Sequence, residues 1–205
     1  MPRGVATPEP RQHLFAAVER VIVGEGPSRL TSRAVTREAG VATGLLFTHF
    51  TNFDDFLVGY AVDRSFQLAG AVAGLPDRAG SATVAENLSE VGQALPSATL
   101  VAVTRLTAYR PGITASVEAV LGHGSAGLQP VERATARYLA AEQQLGRVPA
   151  SADPEALALV VTGVLHHVTL TDGTSPVAAG RLRRAIAALT DGFPAVAQRG
   201  PADRG

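Results

Sequence analysis

The sequence predicts an all-α protein, and three observations carry that prediction. Apolar residues recur at three- and four-residue intervals along most of the chain, the spacing of one helix face. No stretch shows sustained period-two alternation of β-branched and polar residues between turn residues, as half-buried strands would. The apolar share is 46% but the aromatic share only 5%, so the interior is built largely from Ala, Val and Leu, side chains that suit closely packed helices.

The elements follow in order. The first helix begins after Thr7-Pro8-Glu9-Pro10, with Thr7 as cap and the prolines in the first turn, where a missing N–H is tolerated. It carries Leu14, Phe15, Val18 and Ile22 on one face, and residues 24–29 end it. Thr31 caps a second helix over 32–39, Gly40 supplies the turn, and a third helix covers 43–49. Asn52 to Asp55 open a longer fourth helix reaching 75, its acids at the end that the helix dipole favours. Residues 76–80 form a loop, beyond which charges thin out and Ala, Val, Leu and Gly dominate. Later helices are expected over 81–94, 97–109, 113–121, 128–145, 153–171 and 176–197, each bounded by Pro or Gly. The last residues, 200–205, have too little apolar surface to offset their ordering entropy and are expected to be mobile. The division is therefore a three-helix head over 1–53, a helical domain over 54–199 and a tail over 200–205.

Composition excludes some functions. With no Cys, disulfides, thiolate metal sites and cysteine nucleophiles are ruled out. All 18 basic residues are arginine and they balance 18 acids to a net charge of zero. There is no overall basic field, and nucleic-acid binding must come from a local cluster. The most apolar stretch, 157–170, is broken by His166 and His167 and is short for a membrane span. The N-terminus lacks the apolar core of a signal peptide. A cytoplasmic protein without membrane contact is expected, and no cofactor or metal site is indicated.

The short helices around Gly40 have the helix-turn-helix pattern, with Val35, Ala39, Val41, Leu46 and Phe50 available to bury against the first helix. That arrangement seats its second helix in the major groove of DNA, which is about 12 Å wide, while the preceding helix crosses the backbone. Thr43, Gly44, Leu45, Phe47, Thr48 and His49 would then lie near base edges or phosphates. Arg33 and Arg37, four residues apart, project from one face of the second helix, with Arg29 and the capping Thr31 just before it. They form a basic strip beside the groove, and elsewhere the same pair would be an ordinary solvated face.

The stretch LTSRAVTREAGVATGLLFTHFTNFDDFL, 30–57, resembles the TetR/AcrR family of transcriptional regulators. It carries that family's Leu-Thr, short helix, Ala-Gly-Val, a recognition helix ending aromatic-x-x-Phe, and an acidic opening to the next helix. The resemblance implies a DNA-binding head, a C-terminal domain that binds an effector and dimerises, and an operator released on effector binding. Three residues depart from the pattern. Phe47 stands where Tyr is usual and Phe53 where Lys is common, each removing a phosphate contact, and Thr36 replaces a small Ala in the second helix, shifting its packing against the third.

In the C-terminal half an apolar or aromatic effector is expected among the middle helices, lined by Phe66, Leu106, Tyr109 and Ile113, with Arg105 or His123 as polar anchor. The last two helices are expected to form a homodimer, with Ala158, Gly163, Ala178 and Ala185 permitting close approach; the same faces could instead close the monomer's own core. Two other patterns carry less. Residues 122–127, GHGSAG, match G-x-G-x-x-G but follow a helix rather than the strand a dinucleotide site needs. His166 and His167 are adjacent, about 100° apart on a helix, and cannot grip one metal together. No pair of catalytic carboxylates stands out, which leaves an enzyme or a ligand-free dimeric interaction protein as alternatives to the regulator.

Overall fold

The structure, a computed structural model, describes residues 9–193. Among these residues there are ten α-helices and no strand: α1 Pro10–Glu25, α2 Ser32–Ala39, α3 Thr43–His49, α4 Phe53–Val72, α5 Val84–Ala94, α6 Ser97–Tyr109, α7 Gly112–Leu121, α8 Gln129–Gln144, α9 Pro154–Asp172 and α10 Pro176–Leu189. Every helix expected from the sequence is present, and the differences lie at the ends. Glu9, without a side-chain cap bond, is the N-cap of α1, and Thr7 lies outside the described residues. Helix α5 starts at Val84 rather than 81 because Thr83 and Glu86 close a capping box: the Thr83 hydroxyl accepts the Glu86 N–H at 3.1 Å and the Glu86 carboxylate accepts the Thr83 N–H at 2.9 Å, satisfying two orphan donors. Helix α10 stops at Leu189, where the expectation ran to 197; residues 190–193 have already left the helix, and 194–197, like the tail, lie outside the described residues.

Two hydrophobic clusters organise the chain. The first joins Leu14, Phe15, Val18 and Ile22 of α1 to Val35, Leu46 and Phe50, then to Phe56, Leu57 and Tyr60 of α4, and extends into α6 and α7 through Val103, Leu106, Ile113 and Val117. The head therefore shares its core with two helices of the C-terminal half. The second cluster gathers Leu68 and Val72 of α4 with residues of α5, α8, α9 and α10.

At the seam between the clusters, along α4, lies Arg64. Its Nε donates to Glu19 of α1 at 2.7 Å and its Nη1 to Gln12 at 3.1 Å and Asp63 at 2.5 Å. The same Glu19 oxygen accepts the Thr99 hydroxyl of α6 at 2.8 Å. Burial opposes charge on Arg64, and the adjoining Glu19 outweighs it, raising the guanidinium pKa. One carboxylate thus ties three helices.

Helix α9, at 19 residues, is long and apolar enough by length and composition to cross a membrane, longer than the 157–170 stretch by which the sequence argued against a span. Its apolar character has two destinations: Ala158, Val161, Leu165 and Val168 turn inward, while Leu159, Val160 and Leu170 are exposed. Ala158, expected at a dimer face, is fully buried in the second cluster, so at that position the face closes the monomer's own core.

Candidate nucleic-acid interface

Thr31 caps α2 by accepting the Ala34 N–H at 3.1 Å. Gly40 adopts φ +67°, the left-handed conformation that ends the helix, and the Val41 N–H returns to the Thr36 carbonyl at 3.0 Å; an L side chain is strained there. Thr36 is buried, and its hydroxyl bonds the Ser32 carbonyl at 2.9 Å and the Thr43 hydroxyl at 3.1 Å. The residue expected to shift the packing pins the first turn of α3 to α2.

Inward, α3 is held by Leu46, fully buried, and by Phe50 just beyond its end. The Phe50 ring lies 5.1 Å from Phe56 and 6.0 Å from Phe15, and it fits against α4 because residue 59 is glycine: a Cβ there would stand 2.9 Å from the ring. Outward, Gly44, Phe47, Thr48 and His49 are exposed, with Thr43 and Leu45 half-buried at the edge. Gly44 has no atom within 4 Å of where a Cβ would sit. The Thr48 hydroxyl donates to the Leu45 carbonyl at 2.7 Å, leaving its oxygen to accept. Beside this face Arg29, Thr31, Arg33 and Arg37 are exposed. Arg37 stands 3.7 Å from Glu25; among the described residues no carboxylate pairs with Arg29 or Arg33. Phe53, half-buried, stacks on Phe56 at 5.8 Å and packs against the edge of the head's core.

The six residues expected around an effector do not converge. Leu106 and Ile113 are buried in the head-side cluster. Phe66 and Tyr109 are exposed, at 62% and 53%. Arg105 donates to the carbonyls of Ile22 and Val23 at 3.3 Å, closing the C-terminal end of α1. The His123 side chain is 95% exposed, beside Glu118. Arg105 and Tyr109 stand four residues apart on α6, but one caps α1 and the other meets solvent. The GHGSAG loop sits between two helices, its Gly124 N–H held by Glu118 at 2.9 Å, with no strand before it.

A cavity of about 290 Å³ opens elsewhere, among the ends of α5 and α6 and the α9–α10 turn, over Leu95, Leu100, Leu165, Val168 and Leu182. The sequence offered a partial signal for it in the Pro96 and Asp172-Gly173 breaks, which bring four helix ends together.

Residues 14–58 match the family described as bacterial regulatory proteins, tetR family. The match covers the head, α1 to the start of α4. No curated protein sequence matches it. Among solved structures, this chain is similar in fold to the fatty acid degradation regulator FadR from Bacillus halodurans, at 16% identity and TM-score 0.70 over 92% of this chain and 98% of that one. It is similar to the multidrug binding protein EbrR, complexed with imidazole, at 25% identity and TM-score 0.55 over 95% and 100%. A third, FadR from Bacillus subtilis in complex with stearoyl-CoA, has 18% identity and TM-score 0.67 over 89% and 99%.

Proposed function

We propose that this chain is a cytoplasmic, effector-responsive transcriptional regulator of the tetR family, a repressor released from its operator by an apolar or aromatic small molecule. The observation that carries the reading is the outer face of α3: Gly44, Phe47, Thr48 and His49 are exposed while Leu46 and Phe50 fix the helix from behind. A rigid helix with small and hydrogen-bonding side chains outward suits entry into a major groove, and Arg29 and Arg33 supply phosphate contacts at its flank.

The partner in DNA binding is a second copy of the chain. Leu159, Val160 and Leu170 of α9 and Val177 of α10 are exposed apolar side chains, and Gly163 between them leaves open space for close approach. A contact through α9 and α10 would pair the heads about a two-fold axis.

Helix α6 links effector to head. Its first turns border the cavity through Ser97 and Leu100, Thr99 between them binds Glu19 of α1, and Arg110 at its far end meets Asp54 at the start of α4 at 2.5 Å. An effector that prefers a displaced α6 shifts the population of head spacings; one with equal affinity for both states shifts nothing.

Fluorescence anisotropy with duplexes from the chain's own upstream region, at two salt concentrations, tests the reading. Specific, salt-sensitive binding that Thr48→Ala, His49→Ala loses is the expected result. Dimerisation without specific binding to any upstream duplex would count against it.

A further inference from the structure

The cavity among α5, α6, α9 and α10 has a lining of unusual uniformity: no ionisable side chain borders it. Its inner wall is made of Leu95, Leu100, Leu165, Val168 and Leu182, all at least nine-tenths buried. Its mouth carries neutral polar groups. Gln93 donates its amide to the Ser89 carbonyl at 2.9 Å, which leaves its side-chain carbonyl to accept. Ser175 accepts the Val177 N–H at 3.3 Å, which leaves its hydroxyl proton to donate. The charged residues nearby, Asp172 at the end of α9 and Arg181 of α10, satisfy each other at 2.7 and 2.8 Å and stay out of the lining.

Behind the outer space lies an apolar recess of about 20 Å³ that shares Leu95, Leu165 and Leu182 with it. Leu182 reaches between the two only because residue 92 is glycine, where a Cβ would stand 2.7 Å from its methyl group. The long axis thus runs from neutral donors and acceptors at the mouth to pure hydrocarbon inside. At about 30 Å³ per water-sized group, the outer space holds about ten non-hydrogen atoms.

From this lining we propose that the cavity binds an uncharged medium-chain amphiphile, a hydrocarbon tail inside and a hydroxyl or carbonyl head between Gln93 and Ser175. A carboxylate or ammonium head finds no opposite charge here and keeps its water or neutralises. The proposal deepens the regulator reading and rests on it for its consequence, release of DNA, but the binding itself is measured without DNA.

The probes are 1-octanol, octanoate and octylammonium, which share one chain and differ in the charge of the head. Calorimetric titration of the full chain at neutral pH should show octanol binding at least roughly tenfold more tightly than either ion, the direction that burial of an uncompensated charge requires. Ala179→Phe, which fills the cavity from α10, should abolish octanol binding while leaving the circular dichroism unchanged. Octanoate or octylammonium binding as tightly as octanol, or no octanol binding up to its solubility limit, overturns the proposal. Octanol binding that leaves an operator complex intact upholds the site and fails the effector reading instead, so the two are separable.

Discussion

Replacing Glu19 by Gln removes the charge on which α1, α4 and α6 meet, and the structure sets the size of the effect. Glu19 and Arg64 keep 15% and 6% of their side-chain surface exposed, so the pair is buried rather than a surface contact. Removing one partner of a buried pair costs about 3–5 kcal/mol, because the other charge is left uncompensated. Arg64 retains Asp63 at 2.5 Å, and Thr99 and Tyr60 can still donate to an amide oxygen, so the low end, about 3 kcal/mol, is expected. For a chain of this length that is roughly 6–12 °C in Tm. Calorimetric unfolding at fixed protein concentration measures it, since association would move Tm. The double variant Glu19→Met, Arg64→Met orphans neither member of the pair and should cost less than the two single changes added together. A single-variant loss below about 1 kcal/mol, the range of exposed pairs, would refute the view that this carboxylate ties the three helices.

Other perturbations follow from individual positions. Gly59→Ala places a methyl 2.9 Å from the Phe50 ring and should lower stability by about 1–3 kcal/mol, the cost of overpacking, read by thermal unfolding. Gly44→Ala has open space and should stabilise α3 by roughly 0.5–1 kcal/mol yet weaken operator binding; unchanged affinity would remove Gly44 from the DNA face. Glu25→Gln frees Arg37 from its 3.7 Å partner and should steepen the salt dependence of operator binding by about 2 units for a dimer, one phosphate contact per head. Glu118 and Glu86 have carboxyl pKa values lowered from the usual 4.5, first by the N–H groups of Gly124 and Thr83 respectively. Each contributes stability that is present above 4.5 and lost as pH falls through the lowered value, so Glu118→Gln and Glu86→Gln should each flatten the acid side of the stability profile.

What the sequence made legible was whatever local chemistry encodes. Thr31, Gly40 and Asn52 announce helix ends by capping, and the structure puts α2, α3 and the start of α4 where those residues indicated. Gly44, Phe47, Thr48 and His49 could be marked as outward because Leu46 and Phe50 had to face in. The cavity was legible only in part: the Pro96 and Asp172-Gly173 breaks mark the helix ends, but it forms where the α5–α6 and α9–α10 turns, distant from each other in sequence, converge, and no periodicity within one helix reports that. Arg105 misled for a related reason: an arginine four residues from a tyrosine reads as a pocket anchor, but its partners are carbonyls on α1. The Glu19–Arg64 seam does leave a trace in the sequence. Glu19 follows Phe15 by four residues and Arg64 follows Tyr60 by four, which puts opposite charges on two apolar stripes that had to meet.

For the proposed function, a chain with zero net charge would face an electrostatic limit in holding DNA, and the head's geometry indicates where the shortfall would have to be met. Arg29 and Arg33 are the basic residues beside α3 that have no carboxylate partner among the described residues, so in the proposed regulator each head would neutralise about two phosphates, and a dimer about four. At about 0.9 units of salt slope per phosphate, a fourfold rise in salt weakens a lone head roughly tenfold and a dimer roughly a hundredfold. Phe47 and Phe53 add nothing to this term, one lacking a hydroxyl and the other packed at the core's edge. A single head would then hold DNA weakly, and occupancy would depend on the gain of about 10²–10⁴ that comes from engaging two sites at once. In the dimer proposed above, the outer face of α9 is then as much a part of the DNA reader as α3. The two are separable by slope: a charge introduced at Leu159 leaves lone heads and halves the salt dependence, whereas Thr48→Ala weakens specific binding and leaves the slope where it was, because no phosphate charge was lost.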